Sequence, residues 1–257
     1  MHKILALWAV PRSTSTAFEW MMRMRADMTC FHEPFGEAWY QGENPLWPRV
    51  RPDSVRTPGL TIESVWEKLK AAARAGPVFS KDFPHYIDHM YTGEFLGHFT
   101  HSFLVRDPAK TITSMFTHWP DFHLKETGFI EQRRLFDRLS DKFGETPPVL
   151  DSDDLLEDPG RMVKAWCDAV GIPFIREALR WEPGERDEVS WWDGGSFHEN
   201  LRNSDGLKPQ PRTHMDISKA PDRVREIYEI VLPHYEHLSA HRLTVPAAKP
   251  AQRVKLP

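Results

Sequence analysis

Apolar residues run unbroken from Ile4 to Val10, "ILALWAV", and after Pro11 give way to the spacing of a helix over Thr16–Met24. The unbroken run reads as a strand buried on both faces, and the helical stripe behind it as its cover. The same alternation returns down the chain. Met28–Phe31 is a short apolar strand, and Thr61 caps a helix through "IESVWEKLKAAARA" that Gly76-Pro77 ends. "PVFSK" and "SFLVR" (Ser102–Arg106) are further strands, and Asp107 with Pro108 gives the N-cap and first residue of the helix "AKTITSMFTHW". A helix over about Lys125–Phe143 leads to the strand "PPVLDS", and a helix through "GRMVKAWCDAV" stops at Gly171-Ile172-Pro173. Pro221–His237 is the closing helix. This order predicts an α/β fold: a single domain over residues 1–245, a mostly parallel sheet flanked by helices, with 246–257 as a C-terminal tail. Pro34–Gly59 and Trp181–Arg212 break the alternation and read as long loops, of the kind that carry function.

With 257 residues, 40% hydrophobic and 27% charged, the chain can bury one medium-sized core. The net charge of −4 gives no general reason to bind nucleic acid, so an anion site has to be local. Cys30 and Cys167 are the only cysteines, far apart in sequence, which argues against a disulfide scaffold or a multi-cysteine zinc site and fits a reducing compartment. The first apolar stretch is cut by Pro11-Arg12, too soon for a signal peptide or membrane span, so a cytoplasmic location is expected.

In a parallel sheet, ligands bind beyond the carboxyl ends of the strands, where the turns Pro11–Thr16 and Arg106–Pro108 both fall. At the first turn, backbone N–H groups and the helix N-terminus offer an anion site. Ser13, Thr14, Ser15 and Thr16 add hydroxyls, and Arg12 adds a fixed charge. The turn lacks the glycines and lysine of G-x-x-x-x-G-K-[ST], which argues against an ordinary ATPase. Taken alone, "PRSTST" serves equally well as a helix cap.

The chain resembles the sulfotransferase family that uses 3′-phosphoadenosine 5′-phosphosulfate (PAPS), and three motifs in order carry the resemblance. "PRSTST" is similar to the family's P-[KR]-S-x-[ST]-[ST] turn, with Thr14 in place of the usual glycine. Arg106 and Ser114 in "VRDPAKTITS" have the family's spacing of eight positions, and "VLDSDDLLEDPGRMVKAWCDAVGIP" resembles its later strand and helix, with Ser152-Asp153 in place of Tyr-Glu. The resemblance implies a P-loop NTPase-like sulfotransferase architecture and a PAPS donor. Arg12 to Thr16 would hold the 5′-phosphosulfate, Arg106 and Ser114 the 3′-phosphate, and adenosine 3′,5′-bisphosphate would be the product, with no metal.

Glu33 in "CFHEPFGEAWY" is then the candidate base, with His32 as its rival, because neighbours in extended chain face opposite ways. Lys81 would contact the sulfuryl group, and Arg202 and Lys208 of the late loop would cover the nucleotide. The acceptor that the resemblance implies is a small molecule bearing a hydroxyl or amine. Its pocket is expected from Pro34–Gly59, from Phe116, Trp119 and Phe122, and from Trp191 and Trp192, whose rings suit an apolar or aromatic acceptor. His85, Asp88 and His89 could share a helix face as metal ligands, although capping and surface polarity are the commoner use of such residues. A P-loop kinase and a non-catalytic nucleotide-binding relative are the alternatives. No nucleic-acid partner and no membrane span are expected, and the oligomeric state is not legible.

Overall fold

The structure, a computed structural model, describes residues 2–47, 56–144, 146–184, 199–209 and 214–246. Strands β1 (Ile4–Ala9), β2 (Thr29–His32), β3 (Val78–Asp82), β4 (Phe99–Val105) and β5 (Val149–Asp151) form one parallel sheet in the order β2-β3-β1-β4-β5. Every residue of β1 and β3 is buried, so the unbroken apolar run of β1 marks a central strand. The chain leaves β1 toward β2 and β3 on one side and returns to β4 and β5 on the other. The strand order therefore reverses about β1, and the carboxyl end of such a strand is where parallel sheets bind ligands.

The helices are α1 (Ser15–Met24), α2 (Pro34–Gln41), α3 (Ile62–Ala75), α4 (Gly93–Leu96), α5 (Pro108–His118), α6 (Phe129–Phe143), α7 (Ser152–Glu157), α8 (Pro159–Val170), α9 (Glu199–Arg202) and α10 (Asp222–Ser239). On α1, Phe18 meets Trp166 of α8 edge-on at 4.8 Å and Trp20 stacks on Trp181 at 6.1 Å, which fixes the axis of α1 against the sheet. A second apolar cluster joins α5, the start of α6 and α10 through Ile112, Met115, Phe122, Phe129, Val224 and Val231, with Val10 of the first turn buried among them. The first turn is thus anchored in core on its own strand and beside it.

Local signals set several boundaries. Thr61 caps α3 in a reciprocal box with Ser64, and Asp107 caps α5 by accepting from Ala109 N at 2.8 Å with Pro108 as first helical residue. Gly171 ends α8 at φ 76°. Four sequence expectations change. The stretch expected as a loop from Pro34 opens with α2, because Trp39 and Tyr40 bury one face of that turn. The helix expected from Lys125 is a 3-10 turn, Leu124–Thr127, separated from α6 by Gly128 at φ 73°. A Cβ at Gly128 would stand 2.8 Å from His85 Nδ1, so the break has a packing cause. The helix around "GRMVKAWCDAV" is preceded by α7, because Asp151 and Asp158 each cap a helix. The strand read at Ser102–Arg106 begins earlier, at Phe99, and ends at Val105, because His98 and Ile4 carry the ladder with β1 further back. Residues 247–257 of the expected tail lie outside the described residues.

Candidate active site

All five strands point their carboxyl ends at one edge of the sheet, and each brings polar groups there. After β1, Arg12 and Thr14 take left-handed conformations at φ 62° and φ 71°. Such angles suit glycine, and Thr14 pays for its branched Cβ in strain of about 1–2 kcal/mol. The shape is held from all sides. Ser13 Oγ donates to Val10 O at 2.6 Å, Arg106 Nη1 to Arg12 O at 3.0 Å, and the buried Ser152 hydroxyl to Ser13 O. Arg12 Nε donates to Ser114 Oγ on α5 at 3.0 Å. The turn, Arg106 and Ser114, expected from separate motifs, are therefore in direct contact. Ser152, which stands where the family pattern has tyrosine, braces the same turn.

A second cluster lies where β2 and β3 end. Lys81 is fully buried in β3, with Nζ 2.5 Å from Glu33 Oε1, 3.5 Å from Thr16 Oγ1 and 4.0 Å from Glu19 Oε2. Tyr86 OH donates to Glu33 Oε2 at 3.3 Å, and Glu33 N donates to Lys81 O at 2.8 Å. On α1, Glu19 stands 2.6 Å from His32 Nδ1 and 2.8 Å from Arg23 Nη2. Burial would raise the Glu19 carboxyl, but His32, then Lys81 and Arg23, bring it down to about 2. The expectation that His32 and Glu33 face opposite ways does not hold. Glu33 turns at φ 40° instead of continuing the strand, so alternation fails there and His32 Nε2 lies 3.9 Å from Glu33 Oε1.

Asp82, which the sequence reading passed over, explains how Glu33 is held. Glu33 occupies the N-cap of α2 without capping it. The buried Asp82 carboxyl does so from β3, accepting from Phe35 N at 3.2 Å and from Phe83 N at 3.0 Å. Burial, with the nearby Glu33 charge, raises the Asp82 carboxyl well above its usual range against the pull of these amides. The Glu33 carboxylate is left for Lys81 and Tyr86. Its signal in the sequence is the placement of Asp82 directly after Lys81 at a strand end.

The sulfotransferase-domain profile matches residues 2–240. The chain belongs to the sulfotransferase-domain family. Among curated relatives, the Branched-chain-amino-acid aminotransferase-like protein 2 of Arabidopsis thaliana is 26% identical over 253 residues, and protein 1 of the same name and organism 27% over 254. Each covers 93% of this chain and 43% of the relative, so the chain spans under half the length of these relatives. Among solved structures, the Sulfotransferase Domain from the Curacin Biosynthetic Pathway has a TM-score of 0.49 at 13% identity, covering 90% of this chain and 97% of that one. Mouse sulfotransferase SULT7A1 complexed with PAP has a TM-score of 0.48 at 11% identity, covering 93% and 85%.

Other expected residues of this sulfotransferase domain stand as follows. Lys208 pairs with Asp205 at 2.5 Å, and Arg202 ends α9, its carbonyl accepting from Gly184 N at 2.8 Å. This segment packs beside Trp181, whose indole N–H donates to Ser204 Oγ, on the Trp20 side of α1. Of the rings expected to line an acceptor pocket, Trp39 and Tyr40 form edge-to-face and tilted contacts with each other and with Tyr86 at 4.7–5.8 Å, and the half-buried Trp119 joins Tyr40 at 6.1 Å. Phe122 is a correction: it is fully buried in the core shared by α5 and α10, because Ile112, Met115 and Phe129 surround it. Trp191 and Trp192 lie outside the described residues.

His85, Asp88 and His89 do not share a helix face, because the chain there forms two short 3-10 turns. His89 is exposed, Asp88 takes Lys125 at 2.9 Å, and His85 is fully buried between Trp39, Phe83 and Tyr86. Among the described residues neither ring nitrogen of His85 has a hydrogen-bond partner, and burial, with the Lys125 charge, pushes its pKa down to about 3. No group of three or more potential metal ligands occurs among the described residues, and no described helix is long and apolar enough to cross a membrane.

Proposed function

We propose that this domain moves a sulfuryl group from PAPS to a hydroxyl or amine of a small, ring-bearing acceptor. The observation that carries the reading is the buried Lys81–Glu33 pair beside Thr16, on the same sheet edge as the Arg12–Ser114–Arg106 junction. One end can serve proton transfer and the other can grip a phosphate.

The residues fit such a donor. The N-terminus of helix α1, with the amides of the strained turn before it, would offer donors to an anion, and Arg106, 5% exposed, has the planar fork that suits a phosphate. When bound, PAPS supplies the sulfuryl group and a stable leaving group, adenosine 3′,5′-bisphosphate. Glu33 takes the proton of the attacking acceptor, whose oxygen or nitrogen bonds to sulfur as the bridging S–O bond breaks. The electron pair of that bond leaves on the bisphosphate, and Lys81, placed against Thr16, offsets its charge. His32 keeps Glu19 occupied, so that Lys81 turns chiefly to Glu33. Tyr86 orients the far oxygen of Glu33, and the rings of Trp39, Tyr40 and Trp119 support an aromatic or apolar acceptor.

The test is calorimetry with adenosine 3′,5′-bisphosphate, ATP and NAD side by side, each with and without a chelator. The bisphosphate should bind best and ignore the chelator, and a preference for ATP with magnesium would turn the reading to a kinase. Arg106→Ala should weaken the bisphosphate by about 2 kcal/mol and an analogue without the 3′-phosphate much less.

A further inference from the structure

Around Ser114 three cations converge from different elements. Arg12 reaches Ser114 Oγ from the first turn, and Arg106 stands at the end of β4 with its guanidinium on Arg12 O. Lys110 lies one helical turn before Ser114 on α5, so the two side chains share a face. The carboxylate that meets two of these cations, Arg106 and Lys110, is Asp153, at the start of α7 beyond β5. Its Oδ2 is 2.6 Å from Lys110 Nζ and its Oδ1 is 3.9 Å from Arg106 Nε. Arg106 is nearly buried, whereas Lys110 and Asp153 are 34% and 41% exposed at their side chains. The carboxylate can therefore swing away into water while Arg106 stays fixed.

We propose that Asp153 is an internal counter-anion of the phosphate site: it neutralises Arg106 and Lys110 until a ligand phosphate takes its place, and Lys110 then serves as a further phosphate-binding cation. The inference rests on the reading that Arg106 and Ser114 receive the 3′-phosphate. Its physical logic is competition. A carboxylate and a phosphate seek the same charge-assisted bonds, and crowding both onto two cations costs like-charge repulsion, so the half-exposed carboxylate yields. Ligand affinity is then set partly by the chain itself, at the position where this sequence carries Ser-Asp.

Calorimetric titration of the wild type, Asp153→Asn and Lys110→Ala with adenosine 3′,5′-bisphosphate tests it, with adenosine 5′-phosphate as the control lacking the 3′ group. Asp153→Asn should tighten the bisphosphate about three- to fivefold, the scale on which a half-exposed ion pair competes. Lys110→Ala should weaken it about five- to tenfold, and neither should move the control by more than about twofold. Unchanged or weaker bisphosphate binding by Asp153→Asn overturns the proposal, as does an equal response of the two ligands. If the wild type ignores the bisphosphate altogether, the donor reading fails, and inorganic pyrophosphate decides the inference separately. A larger rise in melting temperature with pyrophosphate for Asp153→Asn than for the wild type supports the counter-anion, and an equal rise overturns it.

Discussion

Replacing Lys81 with methionine removes the one charge that faces both Glu33 and Glu19 from inside β3. The lysine is fully buried and the two carboxylates are 8% and 1% exposed, so neither recovers its hydration when the partner is lost. Removing one member of a buried pair costs about 3–5 kcal/mol. Glu19 keeps His32 and Arg23, and Glu33 keeps the Tyr86 hydroxyl, which places Lys81→Met at the lower end, about 3 kcal/mol. Glu33→Gln should cost less, about 2 kcal/mol, because Lys81 then relaxes toward Glu19, already 4.0 Å away. The double variant leaves no unpaired charge between the two sites and should cost about 2–3 kcal/mol less than the sum of the singles. Urea unfolding followed by tryptophan fluorescence reads these values, provided the slope is unchanged among variants. Additivity within about 0.5 kcal/mol would refute the coupling and with it the role of Lys81 as the partner of Glu33.

The remaining predictions concern pH and backbone. His85 and His101 are held neutral by burial, at about 3 and about 4 in the fold against 6.5 for a free imidazole. Between pH 6.5 and those values the unfolded chain binds more protons, so stability falls as pH drops through that window. His85→Leu, which matches the volume and abandons no hydrogen bond, should flatten the fall of melting temperature between pH 6.5 and 4, and an unaltered slope would show that His85 titrates freely. Glu19 acts lower: its stabilisation is fully present above about pH 4.5 and is lost as pH falls toward 2, so acid unfolding of Glu19→Gln should lack that last step. Thr14→Gly should raise stability by up to about 1 kcal/mol by relieving strain at φ 71°, and a loss of more than 1 kcal/mol would mean that the side chain itself holds the turn.

β1 was legible because it is buried along its whole length and writes a long apolar run, and α3 and α5 because their caps are side chains in the chain's own text. Arg106 and Ser114, expected together from their spacing, are both tied to Arg12 in the fold, a link that the spacing alone does not show. What sequence periodicity could not show depends on backbone angle and on distance in three dimensions. Glu33 leaves the strand at φ 40°, which reverses the side on which its carboxylate falls relative to His32. Asp82 caps a helix 47 positions away in sequence, and Ser152 braces a carbonyl 139 positions away. Local pattern carries no record of such pairings. Phe122 misled for a related reason: an aromatic in a polar stretch reads as a wall, while α10, far along the chain, covers it.

The absence of glycine from the first turn follows from these distant contacts. A phosphate-binding loop needs successive amides pointing inward, and left-handed residues make that shape. Glycine adopts it without steric cost but leaves the loop free to open in the unfolded chain and in the fold. Here Arg12 and Thr14 take the same angles at a cost of about 1–2 kcal/mol each. Against this stand the bonds that grip the turn at consecutive carbonyls: Arg106 on Arg12 O, Ser152 on Ser13 O, with Ser13 itself tied to Val10 O. Each such bond contributes about 1 kcal/mol, and more where the donor is charged, which is enough to offset the strain. The donors come from the ends of β4 and β5, so the turn's shape is set by the closed sheet and not by its own residues. In the proposed role, a turn held this way would be formed before its anion arrives. Loss of the distant Ser152 hydroxyl should therefore loosen the turn as surely as a change within it: Ser152→Ala should weaken adenosine 3′,5′-bisphosphate in the same calorimetric titration while leaving Arg106 and Ser114 untouched. Unchanged affinity would show that the turn keeps its shape alone.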